Sequence, residues 1–131
     1  MKTVGMVMKS PVITAKPEDT LAEILKLSGR HQIRHFPVVK NGVLVGIVTD
    51  RDLREISTHP AVYNLLLNLL ASLDRATLED IMVRNVISAT IDTPLAEAAR
   101  IMVEKKIGCL PIEKDGQLVG IVTHTDLLAA L

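Results

Sequence analysis

Two short stretches of this 131-residue chain place a hydroxyl and a carboxylate three residues apart: Thr49 with Asp52, and Thr123 with Asp126. A carboxylate can accept both hydroxyls of a sugar diol, the role acidic residues also play in dinucleotide folds. A threonine one helical turn earlier, beside the unpaired N–H groups of a helix start, suits a phosphate. The same spacing also has a purely structural reading. Threonine is then the helix N-cap, and aspartate the residue the helix dipole favours in the first turn. Other chemistry finds no support in the residues. Neither G-x-x-x-x-G-K-[ST] nor G-x-S-x-G occurs. His31 and His35 straddle an expected helix end and strand start, so they need not share a face, and no metal site is expected. Cys109 has no nearby base and is expected to be buried and inert. No catalytic constellation emerges, so an enzyme is not expected.

The corners must be positioned by the elements around them, and these elements occur twice. Gly42-Val43-Leu44-Val45-Gly46-Ile47-Val48-Thr49 returns as Gly116-Gln117-Leu118-Val119-Gly120-Ile121-Val122-Thr123, a step of 120 − 46 = 74 residues. The same step aligns Val12-Ile13 with Val86-Ile87, Leu21-Ala22-Glu23 with Leu95-Ala96-Glu97, and Pro37 with Pro111. Internal repetition of this kind decides the architecture before any single motif does.

Each copy reads as β-α-β-β-α. A short strand comes first (Val12–Ala15; Val86–Ala89). A helix follows, with apolar spacing at Leu21, Ile24, Leu25 and at Leu95, Ala98, Ala99, Met102. Pro94 fits the first helical position, which makes Thr93 the N-cap and, by the repeat, Asp19 its counterpart; Thr20 with Glu23 is the alternative. Next comes a strand containing proline (Phe36–Val39; Leu110–Ile112), whose start is expected at an edge or bulge. An Asn-Gly or Asp-Gly turn leads to the repeated strand, and a last helix begins at Asp52 or Asp126. The expected division is 1–57 for the first copy, 58–80 for a helical connector and 81–131 for the second copy. Neither copy can bury both faces of so small a sheet alone, so the two are expected to pack with pseudo-twofold symmetry. In the connector, Leu65 to Leu73 forms an apolar stripe that is either core or a partner surface.

Composition bounds the partners. Lys plus Arg equal Asp plus Glu at 15 each, and aromatics are 2% of the chain. Nucleic-acid binding is therefore not expected. The lone Cys109 precludes an internal disulfide framework, and no apolar run is long enough to span a bilayer. A soluble, cytoplasmic protein is expected.

The paired pattern, with h-x-G-h-h-T-x-x-D-h closing each copy and the proline strands Arg34-His35-Phe36-Pro37-Val38-Val39 and Gly108-Cys109-Leu110-Pro111-Ile112, resembles a tandem CBS-domain pair, or Bateman module. The resemblance covers essentially the whole chain. More narrowly, Tyr63-Asn64-Leu65-Leu66-Leu67 and Ile107-Gly108-Cys109-Leu110-Pro111 resemble the CBS part of acetoin-utilisation proteins. It implies an α/β fold, clefts that bind AMP, ADP, ATP or S-adenosylmethionine, and a homodimer built from the helices of both copies. On this resemblance Asp52 and Asp126 hold ribose, while Thr49 and Thr123 sit beside phosphate. Arg34 and His35 match the family's phosphate position, with Lys105 and His124 as further candidates. Arg51 adds a cation to the first copy; the counterparts of Arg34, His35 and Arg51 are Gly108, Cys109 and Thr125. Backbone at Thr14-Ala15 and Ser88-Ala89, with Ile33, Val38, Ile107 and Ile112, would enclose the adenine. The expected function is a regulatory module that senses an adenine nucleotide. The alternative is a structural dimerisation module with empty or degenerate clefts.

Overall fold

The computed structural model describes residues 2–31, 34–49 and 77–131. Ile33, Arg51, Asp52, the last helix of the first copy and the Leu65–Leu73 stripe lie outside the described residues. The elements run α1 (Val4–Val7), α2 (Leu21–His31), β1 (His35–Lys40), β2 (Val43–Thr49), α3 (Leu78–Ile81), β3 (Ala89–Thr90), α4 (Leu95–Lys105), β4 (Cys109–Lys114), β5 (Gln117–Thr123) and α5 (His124–Ala129). Both hairpin turns form as their residue types require. Asn41 and Gly42 stand at φ 53° and 82°, and Asp115 and Gly116 at 53° and 79°, the left-handed pairs that let a two-residue turn match strand twist.

The chain divides into two units. The first comprises Met1–Ile13, Asn41–Leu44 and Val86–Leu131. Its sheet has the order β3-β4-β5, with β3 parallel to β4 and β4 antiparallel to β5. Ala89 lies opposite Ile112, which lies opposite Gly120, while Thr123 faces Cys109 at the far end of the hairpin. Ala98 and Met102 of α4 join Leu110, Ile112, Val122 and Val4 in one apolar core.

Val4 belongs to a helix of only four residues, too short to be stable alone. Docking supplies what propensity cannot. The Val4 N–H donates to Thr93 O at 2.9 Å and the Gly5 N–H to Ile91 O at 3.1 Å. Lys9 and Ile121 then exchange backbone bonds of 2.9 and 3.2 Å. Gly120 leaves the room this segment needs, since a Cβ there would lie 2.8 Å from Met8 Cγ and 3.2 Å from Lys9 O.

The second unit, Thr14–Lys40 and Val45–Asn85, repeats this plan. Ala15 pairs in parallel with Val38, its N–H donating to Pro37 O at 2.9 Å and its carbonyl accepting from Val39 at 2.8 Å. Ile24, Phe36, Val38, Val48, Leu78 and Met82 form the core. Leu78 of α3 donates its N–H to Asp19 O at 2.9 Å, Glu79 donates to Pro17 O at 3.0 Å, and Val83 exchanges bonds with Ile47. Each of these is the first unit's contact displaced by 74 residues, as 78 − 4 and 93 − 19 show. A Cβ at Gly46 would meet Met82 just as one at Gly120 meets Met8. The short helix in front of each copy therefore completes the unit that holds the other copy's sheet.

Several local expectations shift. The second long helix starts at Leu95 with Pro94 as N-cap, because the Pro94 carbonyl already accepts the Ala98 N–H at 3.1 Å. Thr93 instead accepts the Thr90 N–H through Oγ1 at 3.2 Å, closing the turn before the helix. In the first copy Thr20, not Asp19, caps α2, its Oγ1 accepting the Glu23 N–H at 3.2 Å. Asp19 accepts the Lys16 N–H at 2.8 Å. The first strands shrink to Ala89–Thr90 and a single bridge at Ala15. That shortening explains the prolines. Pro37 turns its carbonyl toward Ala15, so its missing N–H faces the same edge, where the neighbouring strand has not yet begun and no ladder donor is lost. Pro111 sits in the central strand, and the register shift falls after it, between Ile112 and Glu113.

Candidate functional site

The corner of the first unit is built where β5 gives way to α5. Thr123 keeps an extended backbone, φ −114° and ψ 172°, and the helix begins at His124 rather than at Asp126. Asp126 is thus the third residue of the helix, where a carboxylate can turn back and satisfy a donor that the helix start leaves unpaired. Its Oδ2 accepts the Thr123 backbone N–H at 2.9 Å and the Thr123 hydroxyl at 3.1 Å. The hydroxyl and carboxylate expected to meet a ligand separately are bonded to each other.

This arrangement leaves definite capacity. A carboxylate offers about four lone-pair sites; Thr123 engages Oδ2, and Oδ1 remains. Oδ1 faces Lys9 Nζ at 3.7 Å, with the Asp126 side chain 9% exposed and that of Lys9 67% exposed. Lys9 arrives on the segment bonded to Ile121, two residues before the corner begins. Sequence reading missed it because the residue one step on is Val83, so the repeat carries no mark of a cation there.

The other expected residues of this unit lie on or beside β3, β4, the long helix and α5. Ala89 and Ile112 are buried partners across β3 and β4, with Ile112 wholly inside the core. Ile107 is half-buried, and Thr125, His124 and Lys105 are exposed. Ser88 is half-buried and donates its hydroxyl to Glu113 Oε2 at 3.2 Å. Glu113 was not anticipated either, since its counterpart one step back is Val39.

In the second unit Thr49 ends β2 half-buried, as Thr123 ends β5. Arg34 is exposed directly before β1, His35 opens that strand half-buried, and Thr14 is exposed. Ala15 and Val38 are buried and paired. Among the described residues no group of three His, Cys, Asp or Glu side chains could hold a metal ion. No described helix is long and apolar enough to cross a membrane.

The β-α-β-β-α order of the second copy, closed by its Thr-x-x-Asp corner, and the matching helix and hairpin described in the first define the class, and comparison with known proteins bears this out. The CBS domain family model matches residues 4–59 and 78–131. The chain belongs to the CBS-domain family and is a tandem CBS pair. A CBS domain-containing protein of Dictyostelium discoideum is 35% identical over 130 residues, covering 98% of this chain and 90% of that protein. The crystal structure of CBSX2 in complex with AMP superposes with a TM-score of 0.82 at 28% identity, over 99% of this chain and 96% of that one. The CBS domain pair of protein MJ0100, in complex with 5′-methylthioadenosine and S-adenosyl-L-methionine, gives 0.80 at 32% identity, over 99% and 95%.

Proposed function

We propose that this chain is a regulatory module that binds an adenosine-containing ligand and signals its presence through shape or dimer packing. AMP, ADP and ATP are the leading ligands, with S-adenosylmethionine as a further one. The observation that carries this reading is the Thr123–Asp126 corner, whose nearly buried carboxylate keeps Oδ1 for a ribose diol after Oδ2 is used in capping. The likeness to CBS pairs in complex with AMP and with S-adenosyl-L-methionine supports it. Asp52 and Thr49 would form the equivalent corner of the first copy. Arg34, His35 and Arg51 would meet phosphate, and the backbone at Thr14-Ala15 and Ser88-Ala89, with Ile33, Val38, Ile107 and Ile112, would lie around the adenine. No reaction is assigned to the module, and its place is the cytoplasm. The narrower kinship with acetoin-utilisation proteins belongs to this proposal too, through the run Ile107-Gly108-Cys109-Leu110-Pro111.

One observation favours the second reading, a structural module. Asp126 is already held by Thr123 and Lys9, so the corner has a role without any ligand. A thermal-shift screen with AMP, ATP and S-adenosylmethionine separates the two. A ligand at about 100 times its Kd stabilises by about 2.7 kcal/mol, which raises the Tm by several degrees. No shift with any of them at millimolar concentration would leave only the structural reading. With adenosine added to the screen, Arg34→Ala should reduce the AMP shift and spare that of adenosine.

The dimer is proposed to form through the helices of both copies with twofold symmetry. Val103 of α4 and Leu128 of α5, 77% and 68% exposed, support a role for these helices. Light scattering at micromolar concentration should report twice the chain mass of 14.3 kDa; a monomer would overturn the dimer.

A further inference from the structure

Lys9 is remote from Asp126 in sequence and adjacent to it in space. Its backbone is fixed by two hydrogen bonds to Ile121, while its side chain is 67% exposed and reaches within 3.7 Å of Asp126 Oδ1. A rooted backbone with a free four-carbon stem can deliver a charge over a range of positions. The contact is long for a hydrogen bond and open to solvent, so it is cheap to break. Yet it occupies the one oxygen of Asp126 that Thr123 leaves available. A ribose diol docking there competes with the ammonium for that oxygen.

The displaced charge then has an obvious destination when the ligand carries a phosphate. A 5′-phosphate hangs on the same ribose ring as the diol. Lysine binds phosphate as a compact point charge and demands no fixed bidentate geometry. We propose that Lys9 is a specificity-determining residue of the Asp126 corner, released from Oδ1 by the ribose diol to pair with the ligand's 5′-phosphate. This corner would thereby select phosphorylated adenosine over adenosine. Val83, one 74-residue step on, makes the matching backbone bonds to Ile47 but brings no charge.

The inference rests on the reading of Asp126 as the ribose acceptor, and the test keeps the two apart. The full chain, Lys9→Met and Lys9→Arg are titrated calorimetrically with AMP and with adenosine at low and at physiological salt. Lys9→Met should weaken AMP about tenfold, the loss of one exposed charge-assisted contact. Adenosine should bind unchanged or a few-fold tighter, because Oδ1 has lost its competitor. Lys9→Arg should retain the preference for AMP. Added salt should erode that preference in the wild type and leave Lys9→Met nearly unaffected, since an exposed ion pair is screened. Equal changes for AMP and adenosine in Lys9→Met would overturn the role of Lys9 and leave the ribose reading standing. A wild type that binds neither ligand would overturn both.

Discussion

Leu78→Ala is expected to lower the stability of the chain by about 2–5 kcal/mol, the range for emptying a fully buried leucine site. Leu78 is fully buried among Ile24, Phe36, Val48 and Met82, although it belongs to a helix of four residues. A helix so short contributes nothing by itself. Its order comes from the core it fills and from its backbone bonds to Asp19 and Pro17. Chemical denaturation of the wild type and the variant measures the effect. A loss under about 1 kcal/mol would mean that the leading segments decorate the two cores rather than complete them. Val4→Ala, the same position one step earlier, should act in the same direction.

Asp126→Asn should produce the largest change in binding. The substitution keeps the size of the side chain and removes its charge and one acceptor. Losing a charge-assisted hydrogen bond to the ribose costs about 1.5–3 kcal/mol, or roughly 10- to 150-fold in affinity. Because Oδ2 also accepts from Thr123, stability should fall as well, by about 0.5–2 kcal/mol as for a lost helix cap. Titration with AMP and thermal unfolding of the same sample report the two effects separately. Reduced stability with unchanged affinity would assign Asp126 to capping alone.

Much of the architecture was legible because the repeat is ungapped and its core positions correspond. Ala15 with Ala89, Phe36 with Leu110, Val38 with Ile112 and Val48 with Val122 hold matching places in the two cores. The Asn-Gly and Asp-Gly turns were legible too, since few other residues tolerate their φ values. The docking of the leading segments was not. It depends on backbone bonds such as Val4 to Thr93, which leave no side-chain signature, and on the space at Gly120, whose complement Met8 is ordinary in a sequence. The N-cap was placed one residue early at Thr93, and at the first helix the alternative to Asp19, Thr20, is the cap, because a threonine before a helix can cap it or close the preceding turn, and both occur here.

At the candidate site, sequence alone singled out Thr123 and Asp126 but not their mutual bond. It also ranked the cations by their place in the chain. Arg34, His35 and Arg51, all in the first copy, were put ahead of Lys105 and His124 in the second. Lys9 reverses that impression for the Asp126 corner, because the segment carrying it is docked on β5.

The most direct measurement of the central proposal compares AMP with 2′,3′-dideoxy-AMP in calorimetric titrations of the wild-type chain. The two share the adenine and the phosphate and differ only in the hydroxyls assigned to the carboxylate corners. Saturable binding of AMP, with the dideoxy compound weaker by at least about tenfold, is the predicted result. Equal affinity for both would contradict it, because no carboxylate could then be holding a ribose diol.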